Sequence, residues 1–242
     1  MRRALMVLCC AAALVIAQGA RADIGTVTAV PVDGDLLLAG DGTGITPQLM
    51  WYDNSMPTPP PGPGYFYFPP GAAVVPVELA DDVPFGATQH VSTLVFAYGP
   101  TVLDPTMSGV IECVVNFYGA LAADDGPDTT SAVLSADITG LPGSPDGSSA
   151  GWIITVDLTM VTPPADFDWT PSTSSTGISE NWLSFTYMQS GTGPILATGG
   201  GSQDVFWSAK DLSSGAPGSF FYFFGGPPNP EGSFYIQLSD SN

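Results

Sequence analysis

The chain has 242 residues, with 23 acidic side chains against four basic ones and a formal net charge of −19. Arg2, Arg3 and Arg21 lie in the first 22 residues, so beyond them Lys210 alone faces all 23 carboxylates. Cations are needed to replace the counterions of a phosphate backbone or to meet an anionic bilayer, so nucleic acid and membrane surfaces are excluded as partners. The same lack weighs against nucleotide and phosphorylated substrates.

The amino terminus reads as a secretory signal peptide over residues 1–22: MRR is its positive start, ALMVLCCAAALVIA its apolar stretch, and an A-x-A pattern ends at Ala22. The apolar run is shorter than the roughly 20 residues a membrane span needs. Residues 23–242 then read as a single secreted domain, long enough to bury its own core. Short apolar runs separated by Gly, Pro, Ser, Thr and Asp follow. The first are TVTAV, DLLLAG and LMWYD, before the Pro-rich stretch 55–64, which reads as a long loop in extended polyproline conformation. After it come VSTLVFAYG, GVIECVVNFYG, SAVLSADI, GWIITVDLTMV, NWLSFTYMQ, DVFWSA, SFFYFF and SFYIQLS.

In GWIITVDLTMV, Trp152, Ile154, Val156, Leu158 and Met160 alternate with polar positions, which is the pattern of a half-buried antiparallel strand. No window of a dozen residues free of Gly and Pro carries a helical period. The expectation is an all-β, antiparallel, jelly-roll-like sandwich of about eight to ten strands. Cys113 is the one cysteine beyond the signal, so the domain forms no internal disulfide. It shares a strand face with Ile111, Val115 and Phe117 and reads as a small buried hydrophobe.

The series YDN (52–54), ADD (80–82), NFYG (116–119), DDGP (124–127), GW (151–152), DFDW (166–169), DVFW (204–207) and FFGGPPNPEGSFYIQL (223–238) resembles a domain common in secreted bacterial proteins. Those proteins often carry a PEP-CTERM or similar surface-sorting tail. The resemblance covers residues 50–238 and implies a secreted or surface-associated β-sandwich; it transfers no catalytic residue. The sequence ends in SDSN, without the apolar anchor and Arg cluster of such tails.

Three chemistries compete for the remaining polar residues. Calcium takes six to eight oxygens, and the candidate sets are Asp81 with Asp82, Asp124 with Asp125 and Asp128, Asp33 with Asp35, and Asp53 with Asn54. Against each stands the turn-capping role that Asp and Asn fill by bonding nearby backbone. Catalysis is poorly provided for. There are four glutamates (Glu78, Glu112, Glu180, Glu231) and no paired E-x-D-x-x-E strand motif. No G-x-S-x-G occurs. The only histidine, His90, stands at a strand entrance as a solvated turn residue, with a lesser prospect as base or metal ligand, while Asp166 and Asp168 read as loop positions. Binding is favoured by the aromatics. Trp152 and Trp182 fit core positions, whereas Tyr65, Tyr67, Trp169 and Trp207 stand where rings could stack on sugar faces. The reading is a non-catalytic secreted or cell-surface module for carbohydrate, with calcium as a possible cofactor. The alternatives are a self-assembling structural protein and, more distantly, a polysaccharide-active enzyme.

Overall fold

The computed structural model describes residues 22–23, 27–31, 49–54, 65–66, 76–147, 151–160, 164–198, 205–210, 217–222 and 232–240. The signal-peptide segment 1–21, the Pro-rich stretch 55–64, the run DLLLAG, Asp33 with Asp35, and Tyr67 lie outside them. The described residues form eighteen strands and no helix. Eight of these strands build two facing four-stranded sheets in the jelly-roll order. Sheet I runs β5 (Glu78–Pro84), β13 (Ser179–Tyr187), β8 (Ile111–Tyr118), β9 (Ala132–Leu141). Sheet II runs β3 (Leu49–Asp53), β18 (Ile236–Asp240), β7 (Thr93–Pro100), β10 (Trp152–Asp157).

All of these pairings are antiparallel, and most of the remaining strands extend the edges. On sheet I, β15 (Val205–Lys210) and β16 (Pro217–Tyr222) form a hairpin that continues beyond β5. On sheet II, β2 (Val27–Pro31) lies beyond β10, and β14 (Thr192–Thr198) takes over the edge of β7 where β18 leaves it. β14 in turn carries β4 (Tyr65–Phe66) and β17 (Gly232–Phe234). A separate two-stranded ribbon pairs β6 (Gln89–Val91) with β11 (Phe167–Trp169). The expected eight to ten strands correspond to the jelly-roll frame; of the further strands, β2, β15 and β16 are the runs TVTAV, DVFWSA and SFFYFF, and β4, β6, β11 and β17 are two- and three-residue pairings too short to announce themselves as periodic runs.

The space between the sheets is filled by alternate residues of both. Ile111, Cys113, Val115 and Phe117 of β8 and Leu183, Phe185 and Tyr187 of β13 meet Leu94, Phe96 and Tyr98 of β7 and Trp152, Ile154 and Val156 of β10. Cys113 is fully buried, and burial pushes its thiol far up. β7 is buried along its whole length because Val95 and Ala97, on its other face, are covered by Ile195 and Tyr235.

The alternation read over 152–160 breaks at its end. β10 stops at Asp157, whose Oδ1 accepts from Thr159 N (2.9 Å) and Thr159 Oγ1 (2.6 Å). That turn leaves Leu158 buried but turns Met160 out to 63% exposure.

Candidate functional site

The pair Asp81–Asp82 does not lie in a loop. Both residues occupy the middle of β5, and both are fully buried. Neighbouring strand residues point to opposite faces, so the two carboxylates do not converge on one ion. Asp81 shares the inner face with Leu79 and Val83. Its Oδ2 accepts from Ser233 Oγ and from Phe234 N (2.6 Å), and Oδ1 has no hydrogen-bond partner. Burial, and then the charge of Asp82, push the Asp81 carboxyl well above the ordinary range, against the pull of its hydrogen bonds. Asn54 grips the same residue from β3's end, with Nδ2 donating to Phe234 O at 2.7 Å. The YDN and ADD motifs therefore meet on strand β17 as clamps.

The carboxylates after β8 are also engaged as hydrogen-bond acceptors. Asp125, at φ +65°, accepts from Ser175 N (2.8 Å) and Ser175 Oγ. Asp128 Oδ1 accepts from Thr130 N (3.0 Å) and Thr130 Oγ1 (2.6 Å), and Asp124 Oδ1 from Gly126 N (3.3 Å). These bonds hold the Asp125 and Asp128 carboxyls below their usual value. Among the described residues no group of three or more His, Cys, Asp or Glu side chains is placed to hold a metal ion.

The tryptophans singled out for sugar stacking are corrected by the fold. Trp169 has no exposed surface; its Nε1 donates to Tyr118 O at 2.8 Å, and its ring packs on Phe85 (4.9 Å) and Phe117 (5.1 Å). Trp207 is 8% exposed and lies opposite Ala80 in an aromatic cluster with Tyr118 and Trp182. The indole N–H groups of Trp51, Trp152 and Trp182 likewise donate to backbone carbonyls, those of His90, Gly143 and Asp125. Amphipathic rings that bury their N–H on a carbonyl are fastening the fold. Tyr65 lies on β4, where β14 pairs with it.

The outer face of sheet I gathers polar side chains that no local motif announced. Glu78 of β5 stands half-buried beside β8 and β13. Its Oε1 accepts from Asn116 Nδ2 (3.0 Å), Tyr118 OH and Ser184 Oγ. Asn116 Nδ2 also lies 3.3 Å from Ser184 Oγ. Oε2 takes none of these bonds. Tyr118, Trp182 and Trp207 pack as a buried aromatic cluster on the same face. Asn116, Ser184 and Glu78 fall at alternating strand positions that become neighbours only through the β5–β13–β8 register.

A third group surrounds the lone histidine. His90 and Asp168 are directly opposite in the β6–β11 ribbon, with Nδ1 2.9 Å from Asp168 Oδ1. Nε2 lies 3.4 Å from Asp166 Oδ2. The imidazole is therefore bracketed by carboxylates on a strand, whereas the sequence suggests a solvated turn. Asp166, just ahead of β11, and Asp168, within it, both reach the imidazole. In comparisons with protein-family models, curated proteins and solved structures, nothing matches the chain.

Proposed function

We propose that this chain is a secreted, non-catalytic binding module that takes a carbohydrate on the outer face of sheet I, centred on Glu78. The observation that carries the reading is the Glu78 node. One half-buried carboxylate is held by an amide, a phenol and a hydroxyl from two other strands, beside a buried aromatic cluster that fixes its surroundings. Carboxylate, amide and hydroxyl groups match the hydroxyls of a sugar.

The reading is non-catalytic because hydrolysis of a glycosidic bond needs two carboxyls across one groove, one of them with a raised pKa. The strongly raised acid here, Asp81, points to the opposite side of β5 and is sealed in the core. The test is affinity electrophoresis through gels cast with a panel of soluble neutral and amino polysaccharides, with chelator and with calcium. Retardation by at least one glycan, lost in Glu78→Gln and Asn116→Ala, supports the proposal; migration unchanged in every gel overturns it. Retardation only in calcium would bring a loop carboxylate such as Asp124 into the site.

A self-assembling role is the second reading, favoured by the exposed side chains of Leu103, Met107 and Val110 in the loop before β8. Gel filtration over a hundredfold concentration range tests it, and a constant elution volume would dismiss it.

A further inference from the structure

We propose that His90, Asp166 and Asp168 form an acid-fastened latch, which holds the β6–β11 ribbon closed while the imidazole carries a proton and loosens it when that proton leaves. The argument begins with donor count. A neutral imidazole owns one N–H and one bare nitrogen, whereas the protonated ring donates from both. Here both nitrogens face carboxylate oxygens, Nδ1 at 2.9 Å from Asp168 and Nε2 at 3.4 Å from Asp166. Only the imidazolium satisfies both. In the neutral ring, with its hydrogen on Nδ1, the lone-pair nitrogen Nε2 is left 3.4 Å from the negative oxygen of Asp166, and the charge attraction there is lost.

The surroundings add to this preference. Asp240 of β18, packed beside β6, contributes a third negative charge. From β3 the nearest group is neutral, the Trp51 indole, which donates to the His90 carbonyl at 3.0 Å. The Asp168 hydrogen bond is the first cause raising the His90 pKa above its ordinary value, and partial burial opposes it. The ring remains 30% exposed, so protons reach it from solvent.

What the latch fastens is specific. The face of the ribbon opposite His90 carries Val91 and Trp169, both buried in the core, with Phe167 packed against it. Next to the latch, Thr88 Oγ1 and Thr170 Oγ1 lie 2.9 Å apart, a contact that pH does not alter. Loosening is therefore expected at the Asp166 end of β11, with the Thr170 end held.

Because the chain holds a single histidine, its ring signal needs no assignment. The protein labelled with 13C-histidine gives one ring signal, which is titrated between pH 5 and 9 while hydrogen exchange, corrected for its intrinsic pH dependence, is followed at the Phe167 and Trp169 amides. The expected midpoint lies above the roughly 6.5 of a free imidazole, and protection of the two amides falls across that same midpoint. Asp168→Asn is expected to bring the midpoint down. In Asp166→Asn the introduced amide can donate to the bare Nε2, so protection should become independent of pH. Thr88→Ala should leave the midpoint in place. A wild-type midpoint at or below 6.5, or protection that ignores the histidine titration, overturns the latch without recourse to any variant.

Discussion

Trp169 offers the sharpest test of how this fold uses its aromatics. The ring is fully enclosed, 4.9 Å from Phe85, 5.1 Å from Phe117 and 6.4 Å from Trp51 between centroids, and its N–H is bonded to Tyr118 O. Trp169→Phe removes the pyrrole edge and the donor while keeping a ring in place. The lost apolar area is on the order of 50 Å², or about 1 kcal/mol at 25 cal/mol per Å². The Tyr118 carbonyl, left buried without its donor, adds about 1 to 2 kcal/mol. The expected loss is therefore about 2 to 3 kcal/mol, which lowers the melting midpoint by roughly 4 to 12 °C for a domain of this size. Trp169→Ala, which opens a cavity as well, should cost about 3 to 5 kcal/mol. Urea denaturation followed by far-ultraviolet circular dichroism measures both. A Trp169→Phe protein within 0.5 kcal/mol of wild type would refute the reasoning. Unchanged stability with weakened glycan retardation would return Trp169 to the ligand surface.

Three further outcomes follow from individual residues. Asp81 holds its proton in the folded state well above the pH at which it ionises in the unfolded chain, so folding binds a proton. Its contribution is whole below about pH 3.9 and is lost as pH rises toward the folded pKa. Asp81→Asn should therefore be more stable than wild type at neutral pH, with a flatter dependence of the urea midpoint on pH; parallel curves for the two proteins would contradict this. Gly109 sits at φ +80°, and a Cβ there would lie 2.4 Å from Gly140 O. Gly109→Ala should cost at least about 2 kcal/mol by denaturant titration, and a smaller loss would mean that the β9 end yields freely. Cys113, buried with its thiol pushed up, should react with a thiol reagent only at the rate of global unfolding; rapid labelling of the native protein would show that β8 opens.

Much of the fold is legible in the residues because local backbone physics determines it. Two-residue alternation in 111–117 and 152–156 names its strands and their inner faces, and the same alternation correctly buries Cys113. The turn chemistry of Asp is legible at Asp128, which bonds donors two residues ahead, whereas at Asp157 the same chemistry cut short the strand read over 152–160. β5 escaped that reading because two carboxylates at its centre break the apolar pattern of a buried strand. Trp169 looked like an edge residue because its neighbours Asp168 and Thr170 are polar, yet they belong to the ribbon's other side.

What the sequence determined alone was an acidic, all-β chain of short strands and turns, because composition and period act over a few residues. Tertiary structure decided which residues meet. Asp81 and Phe234 are 153 positions apart, Glu78 and Ser184 are 106 apart, and His90 and Asp168 are 78 apart. Those encounters follow from sheet register and from the jelly-roll order, and a one-residue slip of β5 would turn Glu78 inward and Asp81 outward. The polar node, the clamp on β17 and the histidine latch all exist through pairings that no local window contains.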